Sequence, residues 1–200
     1  MTIIFARHGE TTGDVEDRFG GDYDDSLSET GREQVQQLAQ KLKNQDIELI
    51  LNSPLSRAIE TATIVKDSLD LICRQEVFPE FKERNQYGRL TGMIKSEARE
   101  KYPEDAEALK DYHNTIAEAE ANEDFEKRVE DGFDKLVTRM KESGVNTVFV
   151  VWHGGPMRVL FRKVLKLGEL KKIDDCAFVV LKSNDDEWKV ESSQGLVFDF

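Results

Sequence analysis

Apolar and polar positions alternate along this 200-residue chain in two patterns. Short, almost continuous apolar runs at residues 2–6, Glu48-Leu49-Ile50-Leu51-Asn52 and Val148-Phe149-Val150-Val151-Trp152 read as strands buried on both faces. Between them, apolar residues recur with helical spacing. Val35, Leu38, Ala39 and Leu42 form one stripe, and Ala58, Ala62, Val65 and Leu69 form another. Thr30 and Glu33 have capping-box spacing for the first helix, and Ser53-Pro54 reads as the cap and first position of the second. A helix is expected after Pro156, with Met157, Leu160, Phe161 and Val164 on one face. Later strands are expected at Ala177–Leu181 and Trp188–Val190, joined through Ser183-Asn184-Asp185-Asp186. This alternation predicts an α/β fold, a three-layer α/β/α sandwich around a mostly parallel sheet.

Residues 96–142 break the pattern, being rich in Glu, Lys, Asp and Ala with few apolar positions. They predict two or three helices forming a cap within a single domain that spans 1–200. Pro103 closes off a short first helix, and Ser143-Gly144 ends the last. A chain of this length buries roughly 70% of its unfolded surface, enough for a core without staples. No apolar run approaches the ~18 residues of a membrane span, and no basic-then-apolar leader precedes the first strand, so a soluble, cytoplasmic protein is expected. Cys73 and Cys176 read as reduced, mostly buried thiols. The net charge of −12 argues against nucleic-acid and membrane partners. It also means that local arginines must overcome the global field wherever an anion binds.

Candidate chemistry sits at the strand ends. The first strand runs into Arg7-His8-Gly9-Glu10-Thr11, and the run at 148–152 into His153-Gly154-Gly155-Pro156. Two of the three histidines therefore follow apolar strands and precede glycine. Loops beyond the carboxyl ends of strands form the ligand crevice of open α/β sheets, which points both imidazoles at one site. A single histidine at a strand end is commonly a structural residue, but two in matching settings are not. Arg57 falls in the first turn of its helix and Gly154-Gly155 opens another, so guanidinium groups and free N–H donors converge. This set suits a phosphoryl group. One neutral imidazole attacks phosphorus, a second donates to its oxygens, and a carboxylic acid protonates the leaving group. The other candidates read as bland. Asp22-Tyr23-Asp24-Asp25 is an acidic surface loop without calcium-loop spacing, His113 is solvent-exposed, and Trp152 is core.

Arg7-His8-Gly9-Glu10-Thr11, Ser53-Pro54-Leu55-Ser56-Arg57-Ala58-Ile59-Glu60-Thr61-Ala62 and His153-Gly154-Gly155 together resemble the signature of the histidine phosphatase superfamily, the phosphoglycerate mutase-like proteins. The resemblance implies that His8 is the phosphorylated nucleophile and that Arg7, Arg57 and His153 complete the phosphate pocket. Thr11, Asp14, Gly20, Gly21, Tyr87, Lys95 and Gly154 would contact substrate. No metal or organic cofactor is implied. The general acid would be Glu83, in Phe81-Lys82-Glu83-Arg84-Asn85-Gln86-Tyr87-Gly88, although it stands one residue further from Gly88 than the family spacing. Glu80 and Glu10 are the alternatives. Asp14 stands where the family usually has Asn; facing the phosphate it would repel unless protonated or bonded to Arg18 or another donor, and it is expected to turn away or pair with a cation.

Tyr87-Gly88-Arg89-Leu90-Thr91-Gly92-Met93-Ile94-Lys95 is similar to the mutase segment whose lysine contacts a substrate carboxylate, and Lys95 reads equally as a helix-flanking charge. Against a mutase stand Ala108-Leu109-Lys110-Asp111-Tyr112, which lacks the mutases' paired arginines, Gly155 in place of asparagine, and the absence of a tail beyond Phe200. The expectation is a phosphomonoester hydrolase acting on a small phosphorylated metabolite. A mutase and a regulatory phosphate-binding module are the alternatives, and a homodimer is left open.

Overall fold

The computed structural model describes residues 1–111, 114–184 and 187–198. His113 and the Asp185-Asp186 part of the expected turn lie outside the described residues. Six strands form one sheet in the order β3-β2-β4-β1-β5-β6. They are β1 (Thr2–Arg7), β2 (Leu49–Asn52), β3 (Arg74–Val77), β4 (Thr147–Trp152), β5 (Leu170–Asn184) and β6 (Glu187–Phe198). The pairs β3-β2, β2-β4 and β4-β1 are parallel, whereas β5 runs antiparallel to both β1 and β6.

The continuous apolar runs are central because both of their faces are covered. On one face, Ile4, Ala6, Ile50, Phe149 and Val151 pack against α2 (Glu29–Leu42) and α3 (Ser56–Ser68). On the other, Ile3, Phe5, Leu51, Val150 and Trp152 pack against α6 (Asn122–Ser143) and α7 (Gly154–Val159). Trp152 is core, stacked on Phe5 at 4.1 Å between ring centroids. The sequence leaves β3 unread because Arg74-Gln75-Glu76-Val77 is a polar edge strand with no buried face to set a pattern.

The acidic segment at 96–142 divides into unlike parts. Two short helices, α4 (Lys95–Lys101) and α5 (Pro103–Ala108), sit beside a separate small cluster of Phe19, Leu90, Ala98 and Ile116. In contrast, α6 buries Phe125, Val129, Phe133, Leu136 and Met140 in the main core. It is a layer of the sandwich, not a cover over it. Gly144 closes α6 in the left-handed conformation (φ 71°).

Two helix starts differ from expectation. Ser28, not Thr30, caps α2, its side chain accepting from Gly31 N–H. The next helix, α3, begins at Ser56 after Leu55, so Ser53 and Pro54 precede it and Ser53 is free for another partner. That helix start is bonded from outside, by Asp24 Oδ1 accepting from Ser56 N–H at 2.7 Å. Both cysteines are free and half-buried, less deeply placed than expected. Among the described residues no helix is long and apolar enough to cross a membrane.

Candidate active site

Three neighbouring parallel strands deliver their following residues to one place. Ser53 follows β2, His153 follows β4 and His8 follows β1. The register continues past the strand ends, with His8 N–H donating to Trp152 O at 3.2 Å and Ser53 N–H to Val151 O at 2.9 Å. The two imidazoles lie with centroids 5.1 Å apart and planes at 60°. Arg57, buried at the start of α3, donates from Nε to His8 Nε2 at 3.1 Å.

The tautomer of His8 follows from its partners. Gly9 O, 2.7 Å from Nδ1, can only accept, and Arg57 Nε–H can only donate. The proton is therefore on Nδ1, and Nε2 presents its lone pair. Burial, then the charges of Arg57 and Arg7, push the His8 pKa well below the usual imidazole value, which keeps the ring neutral. His153 is shifted the same way by burial, Arg57 and His8.

Both arginines are held by groups whose roles the sequence concealed. Arg57 Nη1 bonds Asp25 Oδ1 at 2.7 Å and Tyr23 O at 2.6 Å, and Nη2 bonds Gly21 O at 2.6 Å. The acidic loop is thus no mere surface feature: Asp25 is buried and is the counter-ion of a buried arginine. Arg7 Nη1 bonds Ile173 O at 2.8 Å and pairs with Asp175 at 3.2 Å. Asp175 reaches it because β5 bulges between Ile173 and Phe178, with Cys176 at φ 54°.

Of the three candidate glutamates, Glu83 alone lines the pocket, together with Arg7 and Gly154, the chain neighbours of the buried His8 and His153. It accepts from Gly155 N–H at 2.9 Å and from Arg84 N–H at 2.8 Å. Burial raises its pKa against those two donors and the nearby arginines. Arg128 fixes the approach to it by donating to Glu80 O at 2.9 Å and Lys82 O at 2.8 Å. Glu80 instead pairs with Lys135 on α6, and Glu10 accepts from Ser28 Oγ.

The matching sequence model is that of the histidine phosphatase superfamily, branch 1, over residues 3–194. The chain belongs to this superfamily. It is 28% identical over 192 residues to the metal-independent phosphoserine phosphatase of Arabidopsis thaliana, covering 95% of this chain and 79% of that protein. Identity to phosphoserine phosphatase 1 of Hydrogenobacter thermophilus is 31% over 168 residues, covering 82% and 76%. The fold is that of the phosphoglycerate mutase from Bacillus anthracis, with a TM-score of 0.82 at 24% identity over 98% of this chain and 92% of that one.

The pocket of this histidine phosphatase has a volume of about 290 Å³. Arg7, Gly20, Gly21, Tyr87, Lys95 and Gly154 line it, and so does Asp14. Asp14 neither turns away nor pairs with Arg18. Its Oδ2 accepts from the N–H and the hydroxyl of Thr11, both at 3.0 Å, in a reciprocal cap of the one-turn helix α1 (Thr12–Val15). Arg18 instead bonds Glu16 and Gly92 O. Thr11 is buried in that cap and does not line the pocket. Lys95 lines it while bonding Asp17 Oδ1 at 2.6 Å. Arg18, Gln86 and Arg158 also line it; Arg18 is expected from sequence only as a partner for Asp14, and the other two carry no expected role. For Arg158 a signal existed, since it lies on the helix that begins directly after His153. Among the described residues no group of His, Cys, Asp or Glu is placed to hold a metal ion.

Proposed function

We propose that this enzyme hydrolyses small phosphomonoesters through a phosphohistidine on His8. One observation carries the reading. A neutral imidazole with its Nε2 lone pair fixed stands beside a second imidazole and a guanidinium, and a carboxyl group whose pKa is raised is held at Gly155, two residues beyond that second imidazole. In the first step Nε2 attacks phosphorus, the phosphorus–ester oxygen bond breaks, and protonated Glu83 gives its proton to the leaving oxygen. In the second, the Glu83 carboxylate takes a proton from water whose oxygen attacks phosphorus, the nitrogen–phosphorus bond breaks, and inorganic phosphate departs. Arg7, Arg57 and His153 balance the charge on the equatorial oxygens. Phosphoserine phosphatases among the relatives make a phosphorylated hydroxy amino acid a natural first substrate to try. Asp14 at the pocket wall suits a substrate that brings a positive group along with its phosphate.

The test is incubation with p-nitrophenyl phosphate and with phosphoserine, read for phosphate release, alongside radiolabelling of the protein. Acid-labile, base-stable label and turnover should both vanish in His8→Ala. Label that persists in that variant would move the nucleophile elsewhere. Phosphoglycerates that are isomerised faster than they are hydrolysed would favour the mutase reading, for which Lys95 in the pocket is the supporting observation.

A further inference from the structure

We propose that Ser53 is a positioning residue that sets which nitrogen of His153 carries the proton, so that an N–H at Nδ1 meets the phosphoryl oxygens. This rests on the phosphohistidine reading above and assigns a role that the reading leaves open. Ser53 is fully buried, and its Oγ lies 2.6 Å from His153 Nε2. That contact alone is ambiguous, since a hydroxyl either donates or accepts.

The neighbours resolve it. Leu55 N–H, which can only donate, is directed at the same oxygen at 3.3 Å, so Oγ already accepts from the backbone. The hydroxyl hydrogen then needs an acceptor, and among the described residues His153 Nε2 is the partner within reach. A neutral imidazole that accepts at Nε2 carries its proton on Nδ1. That Nδ1 is buried and has no hydrogen-bond partner among the described residues. A buried N–H without an acceptor is unfavourable, and an anion entering beside the two rings supplies the missing acceptor.

The two histidines are thereby set in opposite senses by their anchors. His8 is tied through Nδ1–H to Gly9 O and offers a lone pair, whereas His153 is tied through Nε2 to Ser53 and offers a hydrogen. One ring is prepared to attack and its neighbour to donate. This also accounts for a serine that precedes its helix without capping it.

Nitrogen NMR of the protein carrying isotope-labelled histidine reads the tautomer directly, without turnover. The chain has three histidines, so His113→Gln and His8→Asn suffice to assign the signals. In the wild-type protein, His153 should show a protonated Nδ1 and an unprotonated Nε2. Ser53→Ala should shift His153 toward the other tautomer and lower kcat on the order of tenfold with KM little changed, as expected for one lost hydrogen bond. Ser53→Thr, which keeps the hydroxyl, should restore both. A wild-type His153 with its proton on Nε2 overturns the proposal even if Ser53→Ala does not fold. An unaltered tautomer or an unaltered kcat in folded Ser53→Ala overturns it too. Loss of the phosphohistidine reading itself would show separately, as turnover or labelling that does not depend on His8.

Discussion

Asp25 shows how much of this site is charge compensation. The Arg57 guanidinium and the Asp25 carboxylate are both almost wholly buried, so deleting the acid strands a cation out of water. Asp25→Ala should destabilise the protein by about 3–5 kcal/mol, measured as the shift of its chemical denaturation midpoint, with Asp25→Asn losing less. Glu83 makes a different contribution. Its raised pKa keeps it protonated above the usual carboxyl range, whereas the lowered His8 pKa keeps the proposed nucleophile unprotonated below the usual imidazole range. Activity should therefore fall on the acid side as His8 takes up a proton and on the alkaline side as Glu83 loses one. In Glu83→Gln, kcat on an alkyl phosphate should drop by roughly 10²–10⁴ and the alkaline limb should vanish from the pH–rate profile. His8, His153, Arg7 and Arg57 were legible because each stands beside a strand end or helix start that hydrophobic periodicity reveals. Asp25 and Asp175 were not. Their roles depend on which arginine a loop or a bulge happens to reach, and no local pattern encodes that.

Elements place these residues through close backbone approach. The first turn of α7 comes so near Glu83 that a Cβ on Gly155 would sit 2.1 Å from Glu83 Oε1 and 3.1 Å from the Phe125 ring. Gly155→Ala should displace the carboxyl group and carry kcat down toward the Glu83→Gln level. Its stability cost should stay at about 1–3 kcal/mol, and parallel kinetics and denaturation would separate the two effects. Element reading from sequence worked where burial imposed a period, as in β1, β2, β4 and the stripes of α2 and α3. It failed at the helix starts because several Ser and Thr residues near α2 and α3 are equally able to cap by spacing. The choice of Ser28 over Thr30 was made by tertiary position, as Ser28 also bonds Glu10.

For the whole molecule, the buried histidines tie stability to pH. Both have folded-state pKa values below the ordinary imidazole value of 6.5. Below that pH the unfolded chain binds more protons than the folded one, so unfolding free energy decreases on acidification. Glu83 acts in the opposite sense, its raised pKa conferring stability at low pH that is lost as pH rises through the raised value. Urea midpoints between pH 7.5 and about 5 should therefore fall with pH, and His8→Gln should flatten the trend by up to ~1.4 kcal/mol per pH unit. The three-layer architecture was evident from strand–helix alternation. The place of α6 was not, because a long charged helix shows the same polar surface whether its narrow apolar stripe covers a sheet or a satellite cluster. The strand order has its own consequence for synthesis. Because β4 lies between β1 and β2, the two earliest strands share no ladder until residue 152 has left the ribosome. Nascent chains shorter than that carry a lone β1 and an unjoined β2-β3 pair with sticky apolar margins, so the N-terminal half waits, exposed, for its central strand.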